Sequence, residues 1–307
     1  FSIIIILLSL FLACSNNPFK ISIDNIKIDL KILNLDSALR NSNDEELLNL
    51  KSKFFREKSS ILDYTVSYCI GESMQSDTSY INGVRRFYSN NYILRLEKAI
   101  QKKYGDFSPE KKELLIAFRR LKAFFPKEKT PSGIYFINSY FSAGVFCTDK
   151  EIAIGTERYL SPNTKEIKEL PNDQFFTWIK NGMLKKYLLR DVVSGWIMTN
   201  YCPETSENYA SEMIRWGKIL YITEATMPDE EINTILRYTE KQYDWAIKSE
   251  GMFWKYLVEN ELLFKTDEKT RSNLLNEGPF TGGLPEESPD RLGQFLGWRI
   301  VKQYMEN

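Results

Sequence analysis

The chain has 307 residues, of which 43% are hydrophobic and 14% aromatic, and its 41 basic and 41 acidic residues cancel to a formal net charge of zero. This composition supports a folded core and excludes a wholly disordered chain. The sequence contains no histidine, which excludes Ser-His-Asp and Cys-His catalysis and removes the commonest zinc ligand. Catalysis by paired carboxylates remains possible because it needs no imidazole. The basic pairs lie among acidic residues at helical spacing, as on a solvated helix face, so we predict no nucleic-acid partner.

An apolar segment runs from Ile3 to Ala13 and ends at Cys14. About a dozen apolar residues are too few to span a bilayer, which takes roughly 20, but they suit the core of a signal peptide. Residues 10–14 resemble a lipobox, in which a small residue precedes the cysteine that becomes lipidated, although Phe11 stands where leucine is usual. The alternative interpretations are a plain secretory signal with a chance cysteine, and a buried strand.

The lipobox interpretation divides the chain into three parts. We predict a lipoprotein signal peptide at residues 1–13, a tether at 14–19 that begins with lipidated Cys14, and a single globular domain at 20–307. Acyl chains on Cys14 would anchor the protein stably to a membrane. No acidic cluster follows Cys14, so we expect a cell-envelope protein on the periplasmic side of the outer membrane.

The predicted elements of the first half are mostly helices. Apolar and charged residues alternate over residues 26–32, which predicts a half-buried strand. Ser108 followed by Pro109 is typical of a helix start, with Ser108 as the cap and Pro109 at the first helical position. Residues 59–79 could be strand or helix. The apolar pattern predicts helices over residues 36–58, 81–103 and 108–125.

The middle of the chain changes to short β-like runs. These lie at residues 134–137, 144–147 and 152–155, and residues 148–150 are typical of a hairpin turn. We expect a small sheet here that includes the strand near residue 28. Further helices are predicted at residues 172–189, 192–200, 208–225, 229–249, 252–263 and 290–305. The predicted fold class is α+β, predominantly α-helical with a small central β-sheet.

Three more cysteines follow Cys14, and their long spacings match no metal motif. An odd number in an oxidising compartment allows one disulfide and one free thiol. Buried free thiols are the simpler expectation for Cys69, Cys147 and Cys202. We predict no metal and no cofactor.

The string from Gly283 to Met305 is the most distinctive part of the sequence. Together with the lipobox, it resembles the gliding-motility lipoprotein GldB family of the Bacteroidetes, with further similarity at residues 152–155, 190–193, 218–221 and 238–242. The resemblance covers nearly the whole chain after Cys14. It implies an envelope lipoprotein associated with gliding, in bacteria that often also have a type IX secretion system. The candidate interaction or structural motif comprises Leu284, Pro285, Ser288, Pro289, Arg291, Gly293, Gly297 and Trp298.

The residue types in this string favour a structural interpretation. Ser288 and Pro289 are typical of a helix cap and a first helical position. Gly293 and Gly297 lie four residues apart, on one helix face, where they would permit close approach of another backbone. Arg291 and Arg299 could bind a partner, but a solvated surface position is the simpler expectation.

A second resemblance concerns zinc peptidases that carry H-E-x-x-H and a later glutamate. Arg190 and Ser194 stand at the two histidine positions, Asp191 at the acid position and Trp216 at the later glutamate. Three ligands are missing, so this site could hold no zinc. The resemblance implies a degenerate zincin-like scaffold that has kept its groove. The alternative is that Asp191 pairs with a basic neighbour on an ordinary helix.

These observations predict a non-catalytic cell-envelope lipoprotein, an interaction module that supports gliding motility, the associated secretion machinery, or both. Its expected partners are the membrane, through the lipid, and other envelope proteins. One alternative is a carboxylate-based glycan hydrolase, with candidate acids Glu157, Asp191, Glu212 and Glu224. Another is a ligand-binding lipoprotein with an aromatic pocket formed by some of Trp178, Trp196, Trp216, Trp245, Trp254 and Trp298.

Overall fold

The computed structural model describes residues 17–204 and 208–307. It is predominantly helical with one small mixed sheet, which confirms the predicted α+β fold class. Cys14 and the predicted signal peptide lie outside the described residues. Within the described ranges, no helix is long and apolar enough to cross a bilayer.

The sheet contains four strands: β1 Lys31–Asn34, β2 Gly133–Ile137, β3 Val145–Cys147 and β4 Glu151–Gly155. Their order is β1-β2-β4-β3; β1, β2 and β4 are parallel, and β3 runs antiparallel to β4. The three predicted β-like runs are confirmed as β2, β3 and β4. The predicted hairpin turn is also confirmed, since the Thr148 amide donates to the Glu151 carbonyl at 2.9 Å.

The first strand is shifted from its predicted position. Residues 26–30 alternate between half-buried and exposed as the pattern indicated, but they form no strand. The hydrogen-bonded strand is β1, because only Lys31–Asn34 lie opposite β2, with Ile32 facing Ile134.

The amino-terminal helices are shorter than predicted because asparagines interrupt them. The predicted helix over 36–58 is two helices, α1 Leu35–Asn41 and α2 Asp44–Arg56, separated by a capping box between Asn43 and Glu46. The predicted helix over 81–103 is likewise two helices, α4 Asp77–Tyr88 and α5 Asn91–Tyr104, and Asn90 caps α5. The undecided segment is helical: α3 Ile61–Asp63 continues as a π-helix over Tyr64–Ile70.

Helix α6 spans Ser108–Phe124. The prediction of Ser108 as its cap was wrong by one residue, because Phe107 occupies the cap with a left-handed φ of 62°. The Ser108 hydroxyl instead donates to the Asp106 carboxylate at 2.5 Å.

The carboxy-terminal half contains eight described helices: α7 Lys165–Lys168, α8 Thr177–Asn181, α9 Leu188–Asn200, α10 Tyr209–Thr226, α11 Ile232–Leu236, α12 Glu240–Glu259, α13 Glu268–Leu275 and α14 Leu292–Glu306. The predicted helix over 172–189 is wrong, because that range holds only α8, a short 3-10 turn at Lys185–Tyr187 and the first two residues of α9. The predicted break near Gly251 is also wrong, since α12 continues through it, and α13 was not predicted. Helix α14 begins after Arg291, so Ser288 and Pro289 are not its cap and first position.

Two hydrophobic clusters lie on opposite faces of the sheet. Ile134 and Phe136 of β2 face the larger cluster, formed with α5, α6 and the carboxy-terminal helices, whereas Tyr135 and Ile137 face the smaller cluster, formed mainly with α1 to α4. This alternation follows from the period of two along a strand. The sheet is therefore covered by helices on both faces, and β1 and β3 are its edge strands among the described residues.

The crossing of α10 and α14 depends on two glycines. A Cβ at Gly297 would lie 1.9 Å from the Met213 carbonyl oxygen, and a Cβ at Gly217 would lie 2.2 Å from the Gly297 carbonyl oxygen. The backbones of the two helices are in direct contact at this point. The prediction that Gly297 provides tight backbone packing is confirmed, and Gly293 also lies close to a neighbouring side chain, that of Tyr209.

Candidate functional site

A cleft of about 630 Å³ opens where β3, α9 and the loop before α14 meet. Its wall includes Gly144 and Val145 at the start of β3, and Arg158 and Tyr159 after β4. Helix α9 forms one side, and the junction of α11 and α12 forms another. The cleft therefore combines residues separated by nearly 150 positions in the sequence, from Gly144 to Arg291.

The four positions suggested by the peptidase resemblance all line this cleft. Arg190, Asp191 and Ser194 come from α9, and Trp216 comes from α10. Arg190 and Ser194 lie one helical turn apart, which places them on the same face of α9. The sequence at these positions lacks the zinc ligands, and the described part of the chain has no group of three or more His, Cys, Asp or Glu residues placed to hold a metal ion.

Asp191 connects three cleft residues. Its carboxylate accepts hydrogen bonds from Arg237 at 2.5 Å, from the Tyr159 hydroxyl at 3.0 Å and from Arg190 at 3.2 Å. Arg190 also donates to the Ile235 carbonyl at 2.6 Å. The ion pair with a basic neighbour, which was the alternative interpretation of Asp191, is therefore present, and it lies in the cleft wall.

Arg291 forms a second ionic group beside the first. It is 7% exposed, and its guanidinium lies 3.0 Å from Asp290 and 3.3 Å from Glu277. The expectation of a solvated surface position was therefore wrong for Arg291, because the loop before α14 turns it into the cleft. Arg299, in contrast, lies at the surface and pairs with Glu250 at 2.9 Å.

Four guanidiniums and three carboxylates line the cleft, with no lysine among its described lining residues, so the formal charge of this lining is +1. Glu277 lies at the opening, with half of its side chain exposed. Burial acts to raise the pKa of Glu277, but the surrounding arginines outweigh it and hold that pKa below the usual range. The pKa of Arg190 is lowered, first by burial and then by its guanidinium neighbours. The arginines acting on Glu277 are Arg291, Arg237, Arg190 and Arg158.

The remaining residues of the carboxy-terminal motif have structural positions. The Pro289 carbonyl accepts from the Thr281 hydroxyl at 2.7 Å and holds the loop before α14. The Trp298 indole is buried and donates to Glu224 at 2.7 Å. Leu284 and Ser288 are buried, and Pro285 is exposed. Among the motif residues, Arg291 alone lines the cleft.

Of the four acids considered for a hydrolase, Asp191 alone lines the cleft. Asp191 is held by arginines, as described above. Glu212 pairs with Arg215 at 3.2 Å, and Glu224 pairs with Lys302 at 2.6 Å. Glu157 is fully buried and accepts from the Ser139 and Phe141 amides at 3.0 and 2.9 Å, so it braces the loop before β3. The positions of these acids give the hydrolase alternative no support.

The six tryptophans all lie on helices, as predicted, but their side chains occupy different environments. Trp178 and Trp216 line the cleft. Trp196 and Trp298 are fully buried, and Trp254 is exposed. Two of the six tryptophans therefore line the cleft, beside its four arginines and three carboxylates, and the cleft is not formed mainly by aromatic rings.

Several cleft residues could not be singled out from the sequence. Arg158, Arg237 and Glu277 belong to no motif, and each is brought into the cleft by a different part of the chain. Arg237 pairs with Asp191, and Glu277 pairs with Arg291. The three cysteines after Cys14 are free thiols, as the simpler expectation predicted, but only Cys69 is buried, whereas Cys147 and Cys202 are partly buried.

Comparison with known proteins identifies the family. The family model described as gliding motility protein GldB matches residues 16–307. No curated protein and no solved structure matches the chain significantly. The matched region includes the cleft and the whole carboxy-terminal motif. The chain therefore belongs to the GldB family of gliding motility proteins.

Proposed function

We propose that this GldB-family protein is a lipid-anchored, non-catalytic component of the gliding apparatus or its associated secretion machinery, and that it binds a partner protein through the arginine-lined cleft. The observation that carries the proposal is the pairing of every cleft carboxylate with arginine. Asp191, Asp290 and Glu277 each lie within 3.3 Å of a guanidinium. Carboxylates held in this way are poor general bases, whereas clustered guanidiniums bind carboxylates well.

The start of the described chain supports a short tether. Phe19 packs edge-on against Phe124 and Tyr221, with ring centroids 6.5 and 5.5 Å apart, and Lys20 pairs with Asp229 at 2.7 Å. These contacts attach the chain to α6, α10 and the segment after α10. Cys14 precedes this attachment by only a few residues, so acylation there would hold the domain close to the membrane. The periplasmic side of the outer membrane is proposed because no acidic cluster follows Cys14.

The proposal is tested by complementation in the native host. Arg158→Gln removes one cleft guanidinium, and Arg299→Gln is the matched control because Arg299 lies outside the cleft. We expect Arg158→Gln to reduce spreading and capture of envelope proteins while its abundance in the membrane fraction stays normal. Normal spreading of Arg158→Gln and of a second variant, Arg237→Gln, would overturn the role of the cleft.

The anchor has its own test. We expect Cys14→Ala to leave the membrane fraction and to abolish spreading, because the acyl chains supply the attachment. A Cys14→Ala protein that stays membrane-bound after signal cleavage would show that the lipid is not the anchor.

A further inference from the structure

Strand β3 leaves one edge of the sheet open beside the cleft. The Gly155 amide donates to the Gly144 carbonyl, and the Thr148 amide donates to the Glu151 carbonyl, each at 2.9 Å. Because bonding to one neighbour alternates along an antiparallel strand, the backbone groups of Val145 and Cys147 point away from β4. Within the described ranges, no other segment forms a backbone ladder on this side of β3.

Both faces of β3 are nevertheless covered. Gly195 of α9 lies against the side chains of Val145 and Cys147, and the Tyr64 ring stacks on Phe146 with centroids 3.8 Å apart. The strand is thus packed on both faces, and its outer hydrogen-bonding edge is the side left unpaired among the described residues. An unpaired edge of this kind can accept an extended peptide as an additional strand.

The open edge leads into the arginine-lined cleft. Gly144 and Val145 belong to both, so a peptide paired with β3 would deliver its end, or a side chain near it, to the guanidiniums. Glu277 already places a carboxylate there, 3.3 Å from Arg291 and 3.8 Å from Arg237. It lies on an irregular segment between α13 and α14, and its side chain is half exposed. A ligand carboxylate could take its place without disturbing the buried pairs of Asp191 and Asp290.

We propose that the cleft binds a carboxylate carried by an extended peptide segment, that the peptide backbone pairs with the outer edge of β3, and that Glu277 occupies the carboxylate position when the cleft is empty. The carboxylate is either a peptide carboxy terminus or an Asp or Glu side chain. This inference rests on the proposed function, because it specifies how the cleft would recognise a partner protein.

The test measures binding of three fluorescent probe peptides to the mature chain in detergent micelles. All three share an alternating Val-Thr hexapeptide: one ends in a free carboxylate, one in an amide, and one in an aspartyl amide. We expect the free-acid or the aspartyl probe to bind about tenfold more tightly than the neutral amide, because a bidentate guanidinium contact strengthens carboxylate binding. Tighter binding of the free-acid probe would identify a peptide carboxy terminus as the ligand, and tighter binding of the aspartyl probe would identify an acidic side chain.

Two variants separate the charge contribution from the strand contribution. Glu277→Gln removes the competing carboxylate and should tighten binding of the carboxylate probe about threefold, whereas the exposed Glu287→Gln control should not change it. Val145→Pro removes one outward amide at the sheet edge and should weaken all probes. N-methylation of alternate probe amides should do the same without changing the protein.

Equal binding of all three probes, or an unchanged affinity after probe N-methylation, would overturn this inference. If that result came with lost spreading in Arg158→Gln, the cleft would still function, but with a different ligand. If spreading were also normal, the proposed function itself would fail.

Discussion

Gly297→Ala tests the contact on which the crossing of α10 and α14 depends. The added methyl carbon would start 1.9 Å from the Met213 carbonyl oxygen, whereas Cβ contacts closer than 3.0 Å essentially never occur. The obstacle is the backbone of α10, which cannot rotate aside as a side chain would. The two helices must therefore separate by roughly 1 Å, which disturbs the packing around Trp298.

The magnitude follows from two opposed contributions. Overpacking of a core typically costs 1–3 kcal/mol, and a rigid backbone obstacle places this variant at about 3 kcal/mol. Alanine gains about 1 kcal/mol over glycine in a helix interior. We therefore expect Gly297→Ala to lower the free energy of unfolding by about 2 kcal/mol.

Gly251→Ala is the matched control. Gly251 also lies inside a helix, α12, and a Cβ there would have no neighbour within 4 Å. This variant should raise the free energy of unfolding by about 1 kcal/mol, because the helix propensity acts alone.

The assay is urea unfolding followed by far-ultraviolet circular dichroism, with linear extrapolation to water. Opposite shifts of the two midpoints are expected. A Gly297→Ala midpoint at or above that of the unaltered chain would refute the close-packing argument, as would equal shifts of both variants.

Three further predictions concern buried polar groups. Burial and the neighbouring Asp36 carboxyl raise the pKa of Glu97 from 4.5 to about 9. The contribution of Glu97 to stability is therefore full below pH 4.5 and is lost as the pH rises towards 9. Glu97→Gln should flatten the dependence of the free energy of unfolding on pH over that range, and an unchanged slope would contradict this. Asp191→Asn leaves guanidiniums uncompensated and should cost about 3 kcal/mol in urea unfolding, whereas exposed Asp244→Asn should cost almost nothing; equal effects would count against the cleft ion pairs. Burial raises the pKa of the Cys69 thiol to about 11 and that of the partly buried Cys147 thiol to about 12. Both thiols should therefore react with a disulfide reagent at pH 8 far more slowly in the native than in the unfolded chain, and rapid labelling of the native chain would contradict the raised pKa values.

Local patterns in the sequence determined the secondary structure where one physical signal dominated. The alternating and apolar runs of β2, β3 and β4 were predictable because buried strands require them, and Gly297 indicated close packing because only glycine permits it. Helix boundaries were predicted less well where Asn43 and Asn90 interrupt an apolar pattern that continues past them, since the capping hydrogen bonds compete with helix continuation.

The cleft was decided by the tertiary structure. Asp191 could be singled out from its neighbours on α9, but its partners Arg237 and Tyr159 lie 46 and 32 positions away. Arg291 is typical of a surface residue in the sequence, and it is buried only because Asp290 and Glu277 compensate its charge in the folded chain. Long-range ion pairing leaves no local periodicity, so the sequence determined the helices and strands that form this site, whereas their packing decided which charges meet in it.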